Sequence, residues 1–223
     1  MKTLLFCASF ADSQGLWNHR WKRWLDYHST VGLEFDQILI VDDGSPTLPL
    51  DIDCEVIYDL PDVQPNHNVV LFHHNDNLGS PAPFEYPGLF RSMQTATDYA
   101  AKYNFDKIVN IESDAFVLTK RVVDYINNIN DDWTALWDHH FAIPELGINI
   151  AAGRGLELWT SVFNQAYDRF RGKMLEEELP FTRVEKNFTG ARYGEFVDVV
   201  PEEADYANQI DQLWTTIRKK IVA

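Results

Sequence analysis

The sequence predicts an α/β fold with a mostly parallel central sheet, helices on both faces and an irregular C-terminal part. Three observations lead there. Apolar runs of strand length alternate with segments of helical periodicity through the first 140 residues. The runs lack polar alternation, as expected of strands buried on both faces of a parallel sheet. After Gly147 the alternation loosens.

Residues 3–9 (TLLFCAS) are the first expected strand. Leu16, Trp17, Trp21, Trp24, Leu25 and His28 then recur at three- and four-residue spacing with Arg20, Lys22 and Arg23 on the other side, the pattern of an amphipathic helix. Residues 37–41 (QILIV) form the second strand, which completes a crossover unit. Residues 69–73 (VVLFH) are strand-like, and 89–103 are helical through Leu89, Met93, Ala96, Ala100 and Tyr103. A strand at 107–111 (KIVNI), a helix at 119–129 through Val122, Val123, Ile126 and Ile129, and an extended run at 133–137 (WTALW) come next. Beyond these lie an apolar run at 148–152, a helical stretch near 158–170, an acidic patch at 176–178, a strand-like 195–200 and a helix-compatible 204–221. No repeat or low-complexity linker interrupts the chain, so residues 1–223 are expected to form a single domain.

The composition, 45% hydrophobic with two cysteines in 223 residues, suits a globular chain rather than a disordered or disulfide-stapled one. Cys7 and Cys54 fall in strand-like runs and are expected to be reduced and buried. Lys and Arg number 19 against 34 Asp and Glu, so the net charge is 19 − 34 = −15. That balance argues against nucleic acid and anionic membrane surfaces as partners, since both are gripped by basic residues. A phosphorylated ligand would need a local basic spot or a bound divalent cation. The apolar run after Lys2 is too short for a secretory signal and ends at Asp12. No run approaches the ~18 apolar residues of a membrane span, so no integral membrane segment and a cytoplasmic location are expected.

In open α/β sheets ligands bind beyond the carboxyl ends of the strands. Four strand ends here are polar: Ser9 to Asp12, the Asp42-Asp43-Gly44-Ser45-Pro46 stretch, the Asn75 to Gly79 stretch, and Glu112-Ser113-Asp114. Asp42 and Asp43 are adjacent and leave an extended chain on opposite sides. One of them is suited to accept hydrogen bonds from a ligand, and a plain turn explains the same residues equally well. Glu112 and Asp114 are separated by one residue and share a face if the extended chain continues past Ile111. At that spacing they suit Mn²⁺ or Mg²⁺, and a helix cap is the other explanation. The long polar and proline-rich connection at 73–88 has the length of a functional loop. Within it His73 and His74 point opposite ways, so at most one would ligate a metal; His139 and His140 face the same objection. Arg91, in the first turn of the next helix, is either a phosphate contact or half of a surface salt bridge.

Taken together, ILIVDDGSP (38–46), NDNLGS (75–80), the helix from Leu89 and KIVNIESDAFV (107–117) resemble the GT-A type of nucleotide-sugar-dependent glycosyltransferases, especially the family with a V-D-D-G-S motif. The likeness covers residues 1–140, which would form the nucleotide-sugar-binding part of a Rossmann-like GT-A domain; residues 141–223 would form the acceptor side. The resemblance implies that Ser9 and Asp43 lie near the nucleotide base, with Asp42 beside them, and that Asn77 and Gly79 form the turn after the third strand. Glu112-Ser113-Asp114 would be the D-x-D element with Glu in place of the first Asp. Asp114 would bind the metal, and Glu112 would assist at the metal or the ribose.

The activity implied is transfer from a nucleotide-diphosphate sugar, UDP-sugar by preference, to a saccharide or other hydroxyl acceptor. Asp138 at a strand end and Glu177 within the 176–178 run are the candidate catalytic bases, although such a glutamate run also suits a solvated helix face. The other reading of the resemblance is a nucleotide- or sugar-binding module of the same fold without turnover. A sugar nucleotidyltransferase is disfavoured because CASFADSQG lacks a basic, glycine-rich phosphate loop. An aspartyl-phosphate phosphatase is disfavoured because the first strand is not followed by two aspartates one residue apart.

Overall fold

The structure, a computed structural model, describes residues 1–210. Its main sheet has eight strands: β1 (Thr3–Ser9), β2 (Gln37–Asp42), β3 (Glu55–Ile57), β4 (Val69–His73), β5 (Lys107–Ile111), β7 (Trp133–Asp138), β8 (Ile143–Ala152) and β9 (Arg183–Glu185), in the order β3-β4-β2-β1-β5-β8-β7-β9. A second sheet joins β6 (Phe116–Val117), β10 (Gly190–Ala191) and β11 (Tyr206–Ala207). The helices are α1 (Gln14–Leu16), α2 (Arg23–His28), α3 (Pro87–Lys102), α4 (Lys120–Asn128), α5 (Arg154–Phe163) and α6 (Leu175–Glu178).

β3, β4, β2, β1 and β5 are mutually parallel, β5 and β7 both pair antiparallel with β8, and β9 runs parallel to β7. Only β8 is reversed, so the sheet is mostly parallel as predicted. The sequence pattern treats β7 as a further crossover strand. β7 does run parallel to β5 after crossing through α4; the short connection from Asp138 to Ile143 then forms a hairpin, and β8 inserts between β5 and β7.

Alternate residues of β1 explain the two layers. Leu5 and Cys7 join Trp17, Trp21, Trp24, Val122 and Ile126 on one face. Leu4 and Phe6 join Phe90, Met93, Tyr99, Trp159 and Phe163 on the other. Both faces are therefore covered by helices, and both cysteines are free; Cys7 is buried as expected, whereas Cys54, just ahead of the edge strand β3, is only half-buried.

Three sequence expectations need correction. The first helix is α-helical at both ends but π-helical over Trp17–Lys22, and the wider i→i+5 turn shifts the phase of the residues beyond it. Arg23, expected on the polar side, is consequently buried and donates to the Ile210 carbonyl at 2.9 Å. Residues 195–200 are not a strand: a 3₁₀ turn at Tyr193–Glu195 leads into irregular chain, and Val199 is exposed. Residues 204–210 are not helical but irregular around the short strand β11, with Gln209 at φ +58°, and Ala204, Ala207 and Ile210 complete a third apolar cluster with Tyr27 and Phe116. The remainder of that expected helix, 211–221, lies outside the described residues.

Candidate active site

The chain leaves β1 toward β2 and β4 on one side and returns to place β5 on the other. This makes the carboxyl ends of β1 and β5 the switch point of the sheet, where α/β folds form crevices. A cleft of about 410 Å³ opens there, lined by Ser9, Arg20, Asp43, Gly79, Glu112 and Asp114, with Trp21 and Tyr86 among its aromatic walls.

The β2 end is a closed hydrogen-bonding unit. Asp42 is fully buried; its Oδ1 accepts from the hydroxyls of Ser45 and of Ser9 (3.2 Å), and its Oδ2 accepts from the Ser45 amide at 3.0 Å and pairs with His73 Nδ1 at 2.6 Å. Ser45 Oγ also accepts from the Ala11 amide at 2.8 Å, which ties the β2 turn to the end of β1. Asp42, expected beside the nucleotide, does not line the cleft and serves as the post around which the turn is built.

Asp43 does reach the cleft. Its Oδ2 accepts from the amides of Leu78 (3.1 Å) and Gly79 (2.8 Å) and from Asn77 Nδ2 (3.2 Å), while its Oδ1 takes Nε and Nη2 of Arg91. Arg91 also donates to the Asp76 carboxylate at 2.8 Å and to its carbonyl. Arg91 and Asn77, expected to touch ligand, therefore hold the loop onto Asp43 from outside the cleft. Gly44, at φ +79°, is required by this closure: a Cβ there would stand 2.4 Å from the Asp76 carbonyl. A Cβ on Gly88 would stand 2.3 Å from Asp43 Oδ2.

The β5 end differs. The extended chain does not continue past Ile111: the Ala115 amide bonds to the Glu112 carbonyl at 3.0 Å, a tight turn. Both residues nevertheless line the cleft. Burial, Asp114, Glu145 and Glu176 push the Glu112 carboxyl well above the usual carboxylate range, against the opposing pull of Arg192. Asp114 is 5% exposed; its Oδ2 accepts from Nη2 of Arg20, and its Oδ1 is buried with no hydrogen-bond partner.

An unpartnered buried carboxylate oxygen is costly and is what a hard cation would satisfy. No group of three or more His, Cys, Asp or Glu among the described residues could hold an ion alone. The chemistry of Asp114 and Glu112 would suit a divalent cation, for which phosphate oxygens and water would have to supply the remaining ligands.

The two expected bases are placed elsewhere. Asp138 is fully buried and accepts from the amides of His140 (2.8 Å), Phe141 (2.9 Å) and Arg192 (2.9 Å), so it anchors the β7–β8 turn. Glu177 is exposed on α6, whereas its neighbour Glu176 turns inward onto Arg192. Arg192 also faces the buried Glu145 at 3.4 Å, and burial raises the Glu145 carboxyl while Arg192 opposes it. His73 and His74 diverge as expected, His74 bonding Thr95 Oγ1 at 3.1 Å; His139 and His140 turn to the Phe188 carbonyl and the Phe196 ring.

The sequence pattern presents Arg20 and Trp21 only as helix-face and core residues. Their signal is position: they lie in the first helical segment after β1, whose start borders the switch point. Arg192 has no local signal, because its partners are distant in sequence.

No family model and no curated protein matches the sequence. Among solved structures, an active-site mutant of LgtC aligns over 98% of this chain and 95% of its own, at TM-score 0.55 and 10% identity. The galactosyltransferase LgtC in complex with donor and acceptor sugar analogs aligns over 92% of this chain and 86% of its own, at TM-score 0.53 and 12% identity. The fold is thus of the GT-A type. No helix among the described residues is long and apolar enough to cross a membrane.

Proposed function

We propose that this protein is a glycosyltransferase, taking a sugar from a nucleotide-diphosphate sugar, UDP-sugar first among the donors, and passing it to a saccharide or other hydroxyl acceptor. The observation that carries the proposal is a GT-A fold whose switch-point cleft holds Asp114 with a free buried oxygen beside Glu112. The likeness to a galactosyltransferase caught with donor and acceptor sugar analogs supports it.

On this reading Asp114 and Glu112 hold Mn²⁺ or Mg²⁺, which when bound supplies positive charge to the departing diphosphate. Ser9, Asp43 and Gly79 flank the nucleoside, with Asp43 oriented by Arg91 and Asn77. Asp138 and Glu177 do not serve as bases, since neither reaches the cleft. A transfer that retains anomeric configuration requires none, and Glu176 is the member of the acidic run that faces inward.

One observation favours a second reading, a nucleotide- or sugar-binding module without turnover: Arg20 already neutralises Asp114. Incubation with a panel of UDP- and GDP-sugars in Mn²⁺ separates the two. Slow metal-dependent hydrolysis of one donor is expected, whereas nucleotide binding with no turnover of any donor supports the module.

A further inference from the structure

The cleft has one basic side chain in its lining among the described residues, Arg20. It projects from the π-helical turn between β1 and α2, a conformation frequent at functional sites. Its guanidinium carries five N–H donors. Nη2 bonds Asp114, while Nε is buried with no partner. Asp114 keeps Oδ1 unpartnered at the same place.

This ion pair is half satisfied on both sides, unlike the Arg91–Asp43 pair nearby, where Nε, Nη1 and Nη2 of the arginine are all engaged. A guanidinium with a spare donor suits a phosphate oxygen, and a carboxylate with a spare oxygen suits a cation. The two groups cannot both be satisfied by one ligand of a single sign. A nucleoside diphosphate carrying a divalent cation offers both signs together.

We infer that Arg20 is an exchangeable counter-ion: it occupies Asp114 in the empty cleft, yields that carboxylate to the divalent cation, and turns its guanidinium onto the diphosphate that arrives with the metal. The inference rests on the proposed function for the identity of the ligand and deepens it by assigning the group that recognises phosphate. It also supplies the local cation that a chain of net charge −15 needs for an anionic ligand.

The exchange gives Arg20 opposite effects on the two halves of the ligand. With Arg20 removed, Mn²⁺ alone meets no competing cation and binds more tightly. UDP at saturating Mn²⁺ loses a charge-assisted hydrogen bond and binds more weakly.

The test titrates wild type, Arg20→Met and Arg20→Gln with Mn²⁺ alone, followed by the electron spin resonance of the free ion, and with UDP at saturating Mn²⁺, followed by calorimetry. The expected result is Mn²⁺ affinity raised roughly tenfold and UDP affinity lowered roughly tenfold or more in either variant; Arg20→Lys should recover part of the UDP affinity. Having two uncharged variants lets the test proceed if one fails to fold. Unchanged or weakened Mn²⁺ binding, or unchanged UDP binding, overturns the exchange while the glycosyltransferase reading stands. A wild type that binds UDP under no metal condition overturns that reading and the exchange with it.

Discussion

Two acidic pairs stand at the ends of β2 and β5, the strands on either side of β1, and look alike in sequence, yet they do different work. Asp42, the last residue of β2, and Asp43 beside it accept hydrogen bonds at every carboxylate oxygen, from Ser9, Ser45, His73, Leu78, Gly79, Asn77 and Arg91. Glu112 and Asp114, after β5, keep one buried oxygen unpartnered and one carboxyl held toward its protonated form. Asp42 is built into the scaffold and Asp43 ties a loop to the border of the cleft, whereas the second pair keeps capacity for a further partner. The difference lies in how many donors each pair meets, and those donors come from distant segments.

The largest effect should come from Asp42→Ala, which strips the turn of its post and takes from Ser9, Ser45 and His73 the carboxylate they share. A loss of about 3 kcal/mol is expected in urea unfolding. A loss under about 1 kcal/mol would place Asp42 outside the scaffold. Asp43→Ala should cost less, about 2 kcal/mol, because the Arg91 side chain keeps its Asp76 contacts; it should also weaken UDP binding in calorimetry. Unaltered UDP binding would make Asp43 scaffold alone.

The second pair should show itself through pH. Glu112 holds a proton in the fold that the unfolded chain, with its ordinary carboxyl, has released at neutral pH. Its proton therefore stabilises the empty protein most at low pH, and that contribution is lost as pH rises from the ordinary carboxylate range toward the raised folded value. The slope is at most about 1.4 kcal/mol per pH unit, less at the solvent side of the cleft. Thermal melts without metal between pH 5 and 8 should fall with pH, and Glu112→Gln should flatten the trend. A trend unchanged in the variant would assign the proton to another group. Mn²⁺ binding should strengthen over the same range, since the ion competes with that proton. The smallest effect is expected from Glu177→Gln: stability within about 0.5 kcal/mol of wild type and no change in donor turnover. A lost turnover would return Glu177 to the site.

The same contrast explains what the sequence made legible. β1, β4 and β5 have the bounds their apolar runs predict, because each is buried on both faces and needs no partner to be recognised. β9, β10 and β11 span two or three residues and show no periodicity; their pairing is set by long-range contacts. At 204–210 the three-residue spacing of Ala204, Ala207 and Ile210 imitates a helix, whereas burial against Tyr27 and Phe116 produces it in irregular chain around β11. Of the residues expected at the site, Ser9, Asp43, Gly79, Glu112 and Asp114 line the cleft, and this placement is legible because strand ends converge on the switch point. The inward turn of Glu176 rather than Glu177, and the use of Asp138 to hold three amides, depend on Arg192, which is distant in sequence from both.

Calorimetry of UDP binding to wild type and Asp114→Ala, each with and without Mn²⁺, tests the central claim most directly. The account predicts that Mn²⁺ strengthens UDP binding to the wild type and that Asp114→Ala abolishes this gain while melting within about 1 kcal/mol of wild type. Mn²⁺-strengthened UDP binding that persists in Asp114→Ala would contradict it.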